Sequence, residues 1–259
     1  MERRMRLIVA VLLLSTLTSV VFAQRGFRRG FAPTPDQPLR GEPKEWTFAR
    51  LAYGGGGFRG RGGWGTDYPG AEYHFSQAVD RLTRIDVHPE GHVVSPDSDE
   101  LFDYPWLYAV EVGSWTFTDS QASRMREHLL RGGFLMVDDF HGSVEWEGFM
   151  ATMRRVYPDR PIVELPVSDE VFHVLYDLID RPQIPSIYGA MTGRTWERDG
   201  YTPHWRGIYD ENGRLAVVIN FNMDLGDAWE HADSPQYPQP LTALAYRYAI
   251  NYLLYSMSH

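Results

Sequence analysis

Apolar positions along the chain follow two rhythms that alternate with each other. Phe48-Ala49-Arg50-Leu51-Ala52-Tyr53 alternates and predicts a first strand. It runs into Gly54 to Gly65, where eight of twelve residues are glycine, so the chain must turn there. Asp67 and Pro69 are start signals for a helix over 68–84, with Phe75, Ala78, Val79 and Leu82 on one face. Leu107 to Val112 predicts a buried strand. Thr118 with Gln121 forms a capping box for a helix that turns Ala122, Met125, Leu129 and Leu130 inward. Gly132-Gly133 ends that helix, and Phe134-Leu135-Met136-Val137 predicts a second buried strand. Trp146, Phe149, Met150 and Met153 mark the next helix, and Ile162-Val163-Glu164 a short strand after it.

The last third has a different rhythm. Gly207-Ile208-Tyr209 and Leu215 to Ile219 flank Asp210-Glu211-Asn212-Gly213, and Asn-Gly is a hairpin signal. A closing helix is expected over 241–255, with Leu241, Leu244, Ala245, Tyr248 and Tyr252 on one face. Strands alternating with helices at this spacing predict an α/β fold, a doubly wound, mostly parallel sheet of flavodoxin-like type with a C-terminal hairpin and helix.

Ahead of this body the pattern disappears. Gln24 to Glu45 is rich in Arg, Gly and Pro and predicts a disordered basic linker before a domain over 46–259. Met1 to Ala23 begins with Arg3, Arg4 and Arg6, continues with an apolar run from Leu7 to Leu14, and ends Val21-Phe22-Ala23. This pattern predicts a secretory signal peptide cleaved before Gln24 and a periplasmic or secreted product. The alternative is an uncleaved anchor, although Ser15, Thr16, Thr18 and Ser19 make the stretch short and polar for a membrane span.

Composition narrows the chemistry. With 43% hydrophobic residues in 259, the chain can build one substantial core. It has no cysteine, which removes thiolate nucleophiles, thiolate metal sites and disulfides. Lys44 is the only lysine. Loss of residues 1–23 removes three Arg and one Glu, so 25 basic and 34 acidic residues become 22 and 33, net −11. Residues 24–61 hold eight basic and three acidic residues, net +5, which leaves −16 for the rest. A body this acidic repels phosphate backbones and argues against nucleic acid. An envelope protein or polysaccharide is the expected partner, with no membrane span in the mature chain.

Three groups of residues are candidates for chemistry. Asp138, Asp139 and His141 leave the end of a predicted central strand, where open α/β sheets bind ligands. A carboxylate two residues from an imidazole suits a base with its orienter, or a metal site; a helix cap and a loop hydrogen bond explain the same residues equally well. Asp224, Asp227, Glu230 and His231 gather four possible ligands in eight residues. A divalent metal is the candidate cofactor, held by Asp139, His141, Asp227 and His231, and a solvated acidic loop is the plainer account. The glycine loop lies where phosphate is often cradled, yet it matches no phosphate-binding pattern. His173, in Phe172-His173, is a further candidate binding residue.

The segment Gly132 to Gly142, with Phe172-His173, Tyr176-Asp177 and Asn222 to Glu230, resembles the bacterial family known as domain of unknown function 4159. The resemblance implies a class I glutamine-amidotransferase-like fold and an exported or membrane-anchored protein, without implying a reaction. Amidotransferases of that group carry a cysteine on the tight turn after a central strand. Here the matching turn is Asp138-Asp139-Phe140, so thiol chemistry is excluded. No G-x-S-x-G supplies a serine in its place. Two readings follow, a non-catalytic binding or assembly module or a carboxylate- and His-dependent hydrolase. The hydrolase requires the two acidic groups to converge; the module gains if they lie at opposite edges of the sheet.

Overall fold

The computed structural model describes residues 35–55 and 63–259, so the expected signal segment, most of the expected linker and the middle of the glycine loop lie outside the described residues. The elements in chain order are β1 (Ala49–Leu51), α1 (Gly70–Leu82), β2 (His92–Val94), β3 (Trp106–Val110), α2 (Asp119–Leu130), β4 (Phe134–Asp138), α3 (Gly142–Val156), β5 (Val163–Glu164), α4 (Ile187–Thr192), β6 (His204–Tyr209), β7 (Leu215–Phe221), α5 (Leu225–Glu230) and α6 (Gln239–Ser258). One seven-stranded sheet runs β2-β1-β3-β4-β7-β6-β5. Its first five members are parallel, in a flavodoxin-like order, while β6 is antiparallel to both of its neighbours, β7 and β5.

The strands explain this arrangement. β3, β4 and β7 are buried at every position, as strands covered on both faces must be. Along β4, Phe134 and Met136 join the layer under α1, α5 and α6, whereas Leu135 and Val137 join the layer under α2 and α3. The capping box at Thr118 forms as expected. Among the described residues no helix is long and apolar enough to cross a membrane.

Several expectations needed correction. Leu82 is half exposed, and α1 instead buries Ala71, Phe75 and Val79. Leu130 is also exposed, at the last residue of α2, where Ala122, Met125 and Leu129 form the inner face. The short strand near 162 does not extend the parallel sheet. It is two residues of β5 on the far edge, antiparallel to β6. Val163-Glu164 cannot be buried on both faces, whereas Leu215 to Phe221 can, so β7 takes the place beside β4. The β6–β7 hairpin forms, turning at Asp210 to Arg214 with Gly213 at φ 80°. Residues from the end of the expected linker lie along β2: Asp36 donates its N–H to Val93 O at 2.8 Å and accepts from Ser95 N at 3.0 Å.

Candidate functional site

β1, β3, β4 and β7 point their carboxyl ends the same way, and the residues that follow three of them adopt the left-handed conformation. These are Glu111 (φ 56°), Asp139 (φ 51°) and Asn222 (φ 63°), none of them glycine. Backbone bonds join the three turns. Glu111 N–H donates to Asp138 O (3.2 Å), Asp139 N–H to Met223 O (3.1 Å) and Asn222 N–H to Phe140 O (3.0 Å). Side chains carried by these turns therefore share one edge of the sheet. Non-glycine residues held in this region cost free energy and cluster at functional sites.

Asp138, at the end of β4, is fully buried. Its Oδ2 accepts from Leu225 N (2.7 Å), Gly226 N (3.0 Å) and the Tyr108 hydroxyl (3.3 Å), while Oδ1 has no hydrogen-bond partner. Burial outweighs those donors and pushes the carboxyl up to about 7. Asp224 caps α5 by accepting from Asp227 N at 2.7 Å, and Asp227 Oδ2 accepts from Ile187 N at 2.7 Å. Asp67 enters from the loop after β1. It places a carboxylate oxygen in a group with Asp224 and Asp227 whose members all lie within 4.8 Å. Burial and then neighbouring carboxylates push Asp67, Asp139 and Asp224 well above the usual range.

Arg50 positions the loop that carries Asp67. It is fully buried, pairs with Glu72, and donates from Nη1 to the carbonyls of Trp64 (2.9 Å) and Thr66 (2.7 Å). Gly226 lets Asp67 and Tyr108 approach the start of α5 closely, because a Cβ there would collide with Asp67 Oδ2 and the Tyr108 hydroxyl.

His141 lies within hydrogen-bond reach of Asp139, Nε2 to Oδ1 at 3.1 Å. Burial pulls the imidazole down to about 4, so it is neutral at physiological pH, and its Nδ1 is buried without a partner. Glu145 accepts the His141 N–H at 2.6 Å and pairs with Arg198. Burial, then the neighbouring Glu145, pushes Glu111 up to about 7. At the start of α3 opens a groove of about 400 Å³ bordered by Gly142, Trp146, Tyr201, His204, Arg206 and Asn222; Glu111, Asp139, His141 and Glu145 lie behind it and do not line it. The first N–H groups of α3 are already taken, Gly142 by Asn222 Oδ1 (2.8 Å) and Ser143 by Asp199 Oδ1 (3.0 Å). The helix start is therefore closed to an anion.

The model of a family described as a domain of unknown function, DUF4159, matches residues 47–257. The chain belongs to the DUF4159 family. No curated protein matches it. Every residue of the carboxyl edge described above lies inside the DUF4159 match.

In this DUF4159 domain the two acidic groups meet. Asp138 and Asp139 end β4, Asp224 and Asp227 follow the adjacent β7, and Asp138 bonds directly to the start of α5. Glu230 and His231, at the other end of α5, form a second close group with Asp227, His231 Nε2 lying 3.4 Å from Asp227 Oδ1. The expected four-ligand set divides. Among the described residues, Asp139 and His141 belong to no close ligand group, while Asp227 belongs to two. His173 engages Asp177 (2.9 Å) and Val167 O (2.8 Å) instead of the acidic edge. Asp67, Glu111, Arg50 and Tyr108 were absent from the sequence-derived set. Arg50, Tyr108 and Glu111 share a positional signal, each being in or just after a strand of the parallel sheet, whereas Asp67 lies at the far end of the glycine loop, just before α1.

Proposed function

We propose that this DUF4159 domain is a carboxylate- and histidine-dependent hydrolase on an amidotransferase-like scaffold, acting in the bacterial envelope. The observation that carries the reading is the convergence of the β1, β3, β4 and β7 loops on one edge, beside a groove of about 400 Å³. Asp139 is the general base, held in orientation by His141 Nε2–H on its Oδ1. Glu111, whose carboxyl is raised to about 7, is the general acid. Water gives its proton to Asp139 as its oxygen bonds to the electrophilic atom of the substrate. The bond to the leaving group breaks, and Glu111 supplies that group with a proton. The arginine-then-apolar amino terminus supports export as the route to the envelope.

The test is a panel of chromogenic glycosides, phosphodiesters and carboxylic esters offered to the purified chain. One class should be turned over, and Asp139→Asn should lower kcat by about 100- to 10,000-fold. Inertness toward all three classes, or full activity in Asp139→Asn, overturns the reading.

The second reading, a non-catalytic binding or assembly module, is favoured by a different observation. Ile179, Tyr188, Met191 and Tyr201, all between β5 and β6, are each more than half exposed. Large apolar side chains left in water mark interaction surfaces when they gather. Alanine at Tyr188 and Met191 should then weaken capture of an envelope protein and leave turnover unchanged.

A further inference from the structure

Three carboxylates reach one point from two segments of backbone, the loop before α1 and the first turn of α5. Asp67 arrives after β1, Asp224 caps α5 and Asp227 sits in its first turn, each placing an oxygen within 4.8 Å of the other two. Hydrogen bonds already account for part of the set: Asp224 Oδ1 accepts from Asp227 N and Asp227 Oδ2 from Ile187 N. Asp67 Oδ2 is buried and accepts from nothing. Asp138 supplies an independent observation. It is fully buried, its Oδ2 accepts from the amides of Leu225 and Gly226, the two residues that follow Asp224 in the chain, and its Oδ1 also has no partner. Uncompensated carboxylate oxygens at this depth are costly unless a cation meets them.

Arg50 meets this charge only in part: it favours the charged form of Asp67, but it is also paired with Glu72 and bonded to the Trp64 and Thr66 carbonyls. Gly226 lets the Asp67 carboxylate come close to the start of α5, since a side chain there would strike Asp67 Oδ2. We infer that Asp67, Asp224 and Asp227 bind a hard divalent cation of the magnesium, manganese or calcium class. An all-oxygen carboxylate set selects hard cations, and water completes the coordination shell. The inference goes beyond the hydrolase reading and is tested apart from it.

Two other groups of possible ligands compete with this assignment. Asp227, Glu230 and His231 share one residue with it, and their imidazole suits zinc. Asp36, His92 and Glu100 lie by β2, with His92 Nε2 3.0 Å from Glu100. The experiment titrates chelator-stripped full-length chain with magnesium, manganese, calcium and zinc separately, following heat of binding and thermal unfolding. At least one hard cation should bind and raise Tm by several degrees near saturation. Asp67→Asn and Asp224→Asn should each weaken that binding at least tenfold, the second without loss of the helix cap, since Asn caps as well as Asp. Asp67→Asn should also raise the metal-free Tm, because it removes the cost of burying an ionisable carboxyl among like charges. Glu100→Gln should bind as the wild type does.

The inference is overturned if no hard cation binds at millimolar concentration, or if Asp67→Asn binds as tightly as the wild type. It is likewise overturned if Glu100→Gln alone abolishes binding, or if only zinc binds and His231→Gln removes it. Loss of turnover in Asp139→Asn with cation binding intact would separate this site from the hydrolytic one.

Discussion

Buried charge is handled in two ways within this sheet. Arg50 and Glu72 meet as opposite charges, both almost wholly buried, and the guanidinium also satisfies two carbonyls. A few residues away, Asp67, Asp138, Asp139 and Asp224 gather with the same sign, and two of their oxygens are left without partners. The pair offsets its own charge, although Arg50 Nη2 and Glu72 Oε2 are also buried without a hydrogen-bond partner. The acidic group is held together by the fold despite its own repulsion, and such tension persists where it has a use.

Breaking the pair should have the largest effect. Glu72→Ala leaves Arg50 as an unpaired buried cation and loosens the loop that carries Asp67. A loss of about 3–5 kcal/mol in urea unfolding is expected. A loss below 1 kcal/mol would mean that the pair does not anchor the loop. The sign is opposite at the acidic edge, where Asp67→Asn should stabilise the metal-free protein.

The next effect sharpens the contrast through pH. Glu111 is raised to about 7 from an ordinary 4.5, so the folded state binds a proton more tightly than the unfolded chain. Its stabilising contribution is complete below pH 4.5 and is lost as pH rises toward 7, by about 3 kcal/mol. His128, buried under the β2–β3 side of the sheet near Gly133, has the opposite sign. Burial lowers it from 6.5 to about 4, so acidification from 6.5 to 4 destabilises the fold by a similar amount. Glu111→Gln should therefore steepen the acid limb of the stability profile, and His128→Gln should flatten it. Parallel profiles for both variants and the wild type would show that neither group titrates differently on folding.

The smallest effect is a control outside both assemblies. Thr118→Ala removes a capping side chain bonded to Gln121 N at 3.2 Å and should cost about 1 kcal/mol, with turnover and cation binding unchanged.

The sheet was legible because its central strands announce themselves. Trp106 to Val110 and Phe134 to Val137 are continuous apolar runs, and Thr118 with Gln121 starts a helix by local chemistry alone. The edge was harder to read, since Val163-Glu164 has too few residues to specify a partner or a direction. In Phe48-Ala49-Arg50-Leu51 the alternation hid the fact that Arg50 is buried, because its partner Glu72 comes from α1. Asp138, Asp139, His141, Asp224 and Asp227 could be picked out by their strand-end positions. Asp67 and Glu111 could not, since only the fold brings the turn after β3 beside β4 and the loop before α1 to the start of α5.

Asp227 has a second attachment. The carboxylate that shares the acidic group also receives Ile187 N–H, the first amide of α4, and the next residue along is Tyr188, 70% exposed. The short helix bearing that ring is thus hung on a member of the acidic group. Any rearrangement of the Asp227 carboxylate acts as a lever on α4, giving the interior a direct mechanical line to the surface.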